Sequence, residues 1–118
     1  MANEVKTRRY DSKVKVIVKR PDEPVGHVTN ISTRLENLQL TVGGYIETLR
    51  IDGNEFIICN EEAKPMGLPK NFRIHEWEQS AWIYGTVIVA EIKDGEIVDL
   101  PDGYFKKWKG MLWAWGNN

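Results

Sequence analysis

Polar and apolar residues alternate from Lys13 to Lys19, placing Val14, Val16 and Val18 on one face and Lys13, Lys15 and Lys19 on the other. A period of two predicts a half-exposed strand, and its lysines discourage pairing along an edge. The stretch PDEPVG interrupts that pattern. Ile31, Leu35, Leu38 and Val42 then recur at spacings of four, three and four, which predicts one apolar stripe of a helix over 31–42. Thr33 and Glu36 have the spacing of a capping box, and Gly43-Gly44 supplies the stop. YIETLRI and EFIICNE, joined by Asp52-Gly53-Asn54, predict a hairpin. The run WIYGTVIVAEI, residues 82–92, is apolar on both faces and predicts a central strand. Asp94-Gly95 turns that strand into the short partner EIVDL. Phe105, Trp108, Leu112 and Trp115 form the stripe of a last helix over 102–115, which Pro101 opens.

The resulting order is β-α-β-β-β-β-α. It predicts a single α+β domain with a mainly antiparallel sheet and its helices packed on one side. Residues 1–12 are polar and read as a loose tail, 13–100 as the core domain, and 101–118 as an aromatic helix or tail docked on it.

Composition narrows the functions. Sixteen basic residues stand against seventeen acidic ones, so no global field draws the chain to nucleic acid or to a membrane. A length of 118 residues suffices for one apolar core without metals or disulfides. The one cysteine, Cys59, lies in the apolar run EFIIC and reads as a buried thiol. With no internal disulfide, no charged-then-apolar start and no apolar run of about 20 residues, a cytoplasmic protein without a membrane span is expected.

Catalytic constellations are scarce. Only His27 and His75 are available as the usual base, and RIHEWEQ lacks the second histidine of a zinc-protease helix. Neither a phosphate-cradling loop nor a dinucleotide fingerprint is present, and no ligand set for a metal is visible. The reading is therefore a non-enzyme without cofactor. Glu47 shares its strand face with Tyr45, Leu49 and Ile51. Buried, it would need a partner such as Arg73 or Lys70; near the strand's start it is half-exposed and ordinary.

The segments TRLENLQLTVGGYIETLRI, NEEAKPMGLPKN and IYGTVIVAEI together resemble the DUF-3846 family, a domain of unknown function. The resemblance covers about residues 13 to 100, and its specific parts are V-G-G-Y-I-E at 42–47, N-E-E at 60–62 and L-P-x-N at 68–71, followed by Arg73. It implies a small protein carried by phages, plasmids or other mobile elements, and it carries over no catalytic residue. The tryptophan-rich ending lies outside the family's usual pattern.

Two surfaces become candidates. The loop 60–74 holds Pro65, Pro69 and Gly67 and is expected to be ordered, either as a connection or as a shaped site. As a site, Asn60, Asn71 and Arg73 would converge near Tyr45, Glu47 and Trp77, a set suited to a phosphate or a flat base. At the C-terminus, Lys106, Lys107, Trp108 and Trp113 offer cations interleaved with aromatics. The first surface fits a binding module acting on a host protein or sequestering a small nucleotide-like ligand, with counter-defence as its use. The second, together with the lysine face of Lys13, Lys15 and Lys19, fits an accessory protein associated with nucleic acid. As the structural alternative, the aromatic stripe of the second simply covers the sheet, with Trp113 lying off it.

Overall fold

The computed structural model describes residues 13–76 and 79–117. The proposed tail, 1–12, and the candidate Trp77 lie outside the described residues. The chain runs through β1 (Lys13–Lys19), β2 (His27–Ser32), α1 (Leu35–Val42), β3 (Ile46–Asp52), β4 (Glu55–Asn60), β5 (Lys70–Glu76), β6 (Gln79–Tyr84), β7 (Val87–Lys93), β8 (Glu96–Val98) and α2 (Tyr104–Gly116). Among the described residues, six strands form one antiparallel sheet in the order β2-β1-β7-β4-β3, with β8 beside β7, and β5 and β6 form a separate hairpin. The α+β class and the mainly antiparallel sheet are as expected.

β7 is the centre of the sheet because it is apolar on both faces. Val87 and Val89 join Ile17, Ile57 and Phe72 in a core closed by α2. Ile88, Ala90 and Ile92 join Val14, Val16, Val18 and Ile58 in a second core closed by α1. The two helices therefore lie on opposite faces of the sheet, not on one side as the element order suggested. Neighbouring strand residues point to opposite faces, so strands apolar at both parities need cover on both.

The strand expected over 82–92 is in fact two. Gly85 adopts φ 78°, a region that favours glycine, and its N–H donates to Pro69 O at 2.7 Å. A Cβ there would stand 2.9 Å from Leu68 Cδ1. The chain turns at this point, leaving β6 with the hairpin and β7 with the sheet. The expected hairpin of β3 and β4 is present, with Asp52 opposite Glu55 across the turn. The loop expected over 60–74 is shorter, since Lys70–Glu76 is strand β5.

The first helix is also shorter than its apolar spacing implied. Ile31 belongs to β2, which pairs with β1 in unbroken register from Lys13–Ser32 to Val18–His27. That pairing satisfies the outward backbone groups of β1, which is an interior strand and not a half-exposed one. Arg34 is the N-cap in extended conformation and no side chain caps the helix, so Thr33 and Glu36 form no capping box. The predicted stop is as drawn: Gly43, at φ 86°, and Gly44 both donate to Gln39 O, at 2.8 and 3.0 Å.

Candidate functional site

The asparagines offered as ligand groups are already bound within the fold. Asn71 is buried, and its Nδ2 donates to Lys19 O at 3.0 Å and to Gly85 O at 2.7 Å. Its Oδ1 accepts from Lys19 Nζ. Lys19, expected on the exposed lysine face, is itself buried, and that burial lowers its pKa below 10.5. This knot ties the end of β1 to β5 and to the Gly85 turn. Asn60 Oδ1 accepts from Glu62 N at 2.8 Å, and Nδ2 donates to Val42 O at 3.3 Å. Asn71 spends its buried amide on the fold, whereas Asn60 both shapes the backbone and lines the cleft beside it.

The motif segments 42–47 and 60–62 do converge. Tyr45 O accepts from Glu61 N at 2.9 Å, and a Cβ on Gly44 would lie 2.9 Å from Asn60 Nδ2. Beside this corner opens a cleft of about 280 Å3 between the α2-side face of the sheet and β6. Its floor is Leu49, Cys59, Ala63 and Ile83, its walls include Trp82 and Tyr84, and Glu47, Glu61 and Lys64 supply charge. Glu47 is exposed and stands opposite Cys59 in the register of β3 and β4, so the buried pair with Arg73 or Lys70 does not form. Burial, with the charge of Glu47 nearby, pushes the Cys59 thiol up to about 12. Buried and protonated, Cys59 lines the cleft as a small apolar group and a poor nucleophile.

Trp82 was not among the expected site residues. It is 40% exposed, pairs with Arg73 across the hairpin, and carries Lys70 Nζ 4.5 Å from its ring centroid. The residue was hidden by reading 82–92 as one buried strand. The available signal was Gly85, a strand breaker directly after Tyr84. An indole with a cation over it, beside two carboxylates and Lys64, can stack on a planar ring, accept hydrogen bonds from amino or hydroxyl groups, and meet a phosphate. Tyr45, 63% exposed, and Met66 border the same corner through their neighbours Glu61 and Asn60.

The C-terminal candidates separate. Trp108, fully buried, donates from Nε1 to Glu55 Oε1 at 2.6 Å, while Lys107 Nζ donates to Glu55 Oε2 at 2.8 Å. Trp108 belongs to the core, while Lys107 stays exposed with its ammonium on Glu55. Trp115 stacks on Phe72 at 5.7 Å and meets Trp108 edge-on at 5.9 Å. Lys106 and Trp113 stay exposed. Among the described residues, no helix is long and apolar enough to cross a membrane, and no three His, Cys, Asp or Glu side chains gather where they could hold a metal.

The family model described as a domain of unknown function, DUF3846, matches residues 14–112. No curated protein and no solved structure matches the chain.

Proposed function

This chain belongs to the DUF3846 family, and on that premise we propose that it is a non-catalytic binding module whose cleft holds a small nucleotide-like molecule. The observation that carries the reading is Trp82, exposed at the cleft with Lys70 over its ring. A base stacks on the indole, Glu47 and Glu61 accept from its amino groups or from ribose hydroxyls, and Lys64 and Lys70 meet phosphate. In the cytoplasm of a host cell, a phage or plasmid protein of this kind would act by sequestering a signalling nucleotide, a counter-defence role. Calorimetric titration and thermal shift against a panel of mono-, di- and cyclic nucleotides test it. A nucleotide at 100 times its Kd stabilises the fold by about 2.7 kcal/mol, and Trp82→Ala is expected to remove that shift with the ligand-free melting temperature nearly unchanged. A panel in which nothing shifts the wild type at millimolar concentration overturns the reading.

Tyr45 and Met66 support a second reading, a host protein docked at the same corner. Large exposed aromatic and methionine side chains are enriched in protein interfaces. Tyr45→Ala would then weaken capture of that protein, whereas nucleotide binding through Trp82 would survive.

A further inference from the structure

The outward face of α2 stays unused by the fold and by the cleft. The helix places Trp108, Leu112 and Trp115 inward, and its turn brings Lys106, Lys109 and Trp113 onto the opposite stripe at spacings of three and four. Lys106 and Lys109 are exposed, and Trp113 is 54% exposed. No acidic residue occurs anywhere in Tyr104–Asn117. Among the described residues, the ion pairs of this region use Lys107 and Lys15, with Glu55 and Asp102, and leave Lys106 and Lys109 out.

We infer that this stripe is a binding site for single-stranded nucleic acid, with a base stacked on Trp113 and phosphates on Lys106 and Lys109. Charge selects the partner: a helix with three lysines and no carboxylate, on a chain of net charge −1, concentrates cations where an exposed indole is also offered. Stacking on an aromatic beside cations that follow the backbone is how sequence-tolerant single-strand binding works. A membrane is the poorer match, because the wide apolar face that interfacial helices insert is here spent on the core. An acidic peptide would use the lysines and leave the indole without a planar partner. The site is short and its affinity modest.

The test titrates the whole chain into a fluorescein-labelled thymidine oligomer of about ten nucleotides, followed by anisotropy across a salt series. Two phosphate contacts predict a slope of log K against log salt of about −1.4. Trp113→Ala is expected to weaken binding about tenfold. The double variant Lys106→Gln, Lys109→Gln should flatten the salt slope. Because all three stripe residues are exposed, unchanged far-UV dichroism is expected to show the variants folded. No anisotropy change at low salt, or equal binding by the stripe variants, overturns the inference. Equal or tighter binding of anionic lipid vesicles or a polyglutamate peptide would also overturn it, reassigning the stripe to that partner.

Discussion

On one face of the sheet, α1 closes the core with two buried aliphatic side chains, Leu38 and Val42, and among the described residues none of its side chains makes an ion pair into the sheet. On the other face, α2 brings two tryptophans and a leucine together with a polar anchor, Glu55, held by the Trp108 indole and the Lys107 ammonium. Two amide-to-carbonyl hydrogen bonds tie α1 near its ends, from Asn37 Nδ2 to Ser32 O at 2.9 Å and from Asn60 Nδ2 to Val42 O at 3.3 Å, while its core-facing contact is apolar and non-directional. Hydrogen bonds to a buried carboxylate are directional and costly to leave unmade, so the α2 side has its helix fixed in rotation as well as in depth. That fixation also decides which residues of α2 face outward. The hairpin, the cleft and the exposed lysine–tryptophan stripe all belong to this more constrained side. Rigid elements hold a binding constellation better than loosely packed ones.

Removing α2 is the harshest way to break the contrast. Truncation after Pro101 strips Trp108, Leu112 and Trp115 from the core, and the uncovered sheet is expected to unfold or aggregate. A two-dimensional amide spectrum reads the outcome; a dispersed spectrum with unchanged sheet resonances would show that α2 is not core. Next in size is Leu38→Ala, which opens a cavity under α1 and is expected to lower stability by about 2–5 kcal/mol. Chemical denaturation without a resolvable loss would remove α1 as the cover of its face.

A gain of stability sharpens the comparison from the other direction. Glu91 stands directly opposite Glu55 across β4 and β7, and its Oε1 is buried with no hydrogen-bond partner. Its Oε2 is 3.9 Å from Lys93 Nζ, beyond hydrogen-bond reach. An orphaned buried acceptor costs about 1–3 kcal/mol, so Glu91→Leu is expected to raise the urea midpoint. A lowered midpoint would mean that Glu91 contributes an interaction that its geometry does not show.

The smallest expected effect is a pH dependence confined to the α2 side. The hydrogen bond from Lys107 to Glu55 raises the Lys107 pKa above 10.5 against the opposing desolvation, with help from the charges of Glu55 and Asp52. In the unfolded chain the ammonium titrates near its ordinary value. The stabilisation is therefore complete below about 10.5 and is lost as the pH rises through the higher folded value. The lysine side chain is 45% exposed, so solvent screening holds the effect to about a few tenths of a kcal/mol. Urea midpoints at about pH 9 and about pH 11 should fall further in wild type than in Lys107→Gln. Equal falls would show that the pair contributes nothing to stability.

Much of the α2 side was legible because its signals are local. Phe105, Trp108, Leu112 and Trp115 repeat at helical spacing, and the off-stripe position of Trp113 follows from the same period. The β3–β4 hairpin and the Gly43 stop were likewise local, resting on turn chemistry. The N-terminal boundary of α1 was not legible. Ile31 and Leu35 belong to different elements that face one core, and apolar spacing cannot distinguish a helix stripe from a strand residue followed by a helix. The cleft was legible only in fragments. Glu47 and Asn60 line it as named candidates, whereas Trp82, Tyr84 and Lys64 were missed. Asn71 and Arg73 do not line it.

The sequence by itself determined the apolar stripe of α2, the β3–β4 hairpin, the glycine stop of α1 and the off-stripe place of Trp113, though not strands β2 and β5. Those are short-range consequences of backbone sterics and of hydrophobic alternation. Only the tertiary structure decided that the helices take opposite faces, that Gly85 parts the hairpin from the sheet, and that Asn71 and Lys19 satisfy one another. Each of these depends on groups far apart in the chain: Lys19 and Asn71 are 52 residues apart, and the two bonds of Glu55 reach 52 and 53 residues along it. A buried polar group must find a partner wherever the fold brings one, and that choice is written in the packing of distant segments, not in the local pattern.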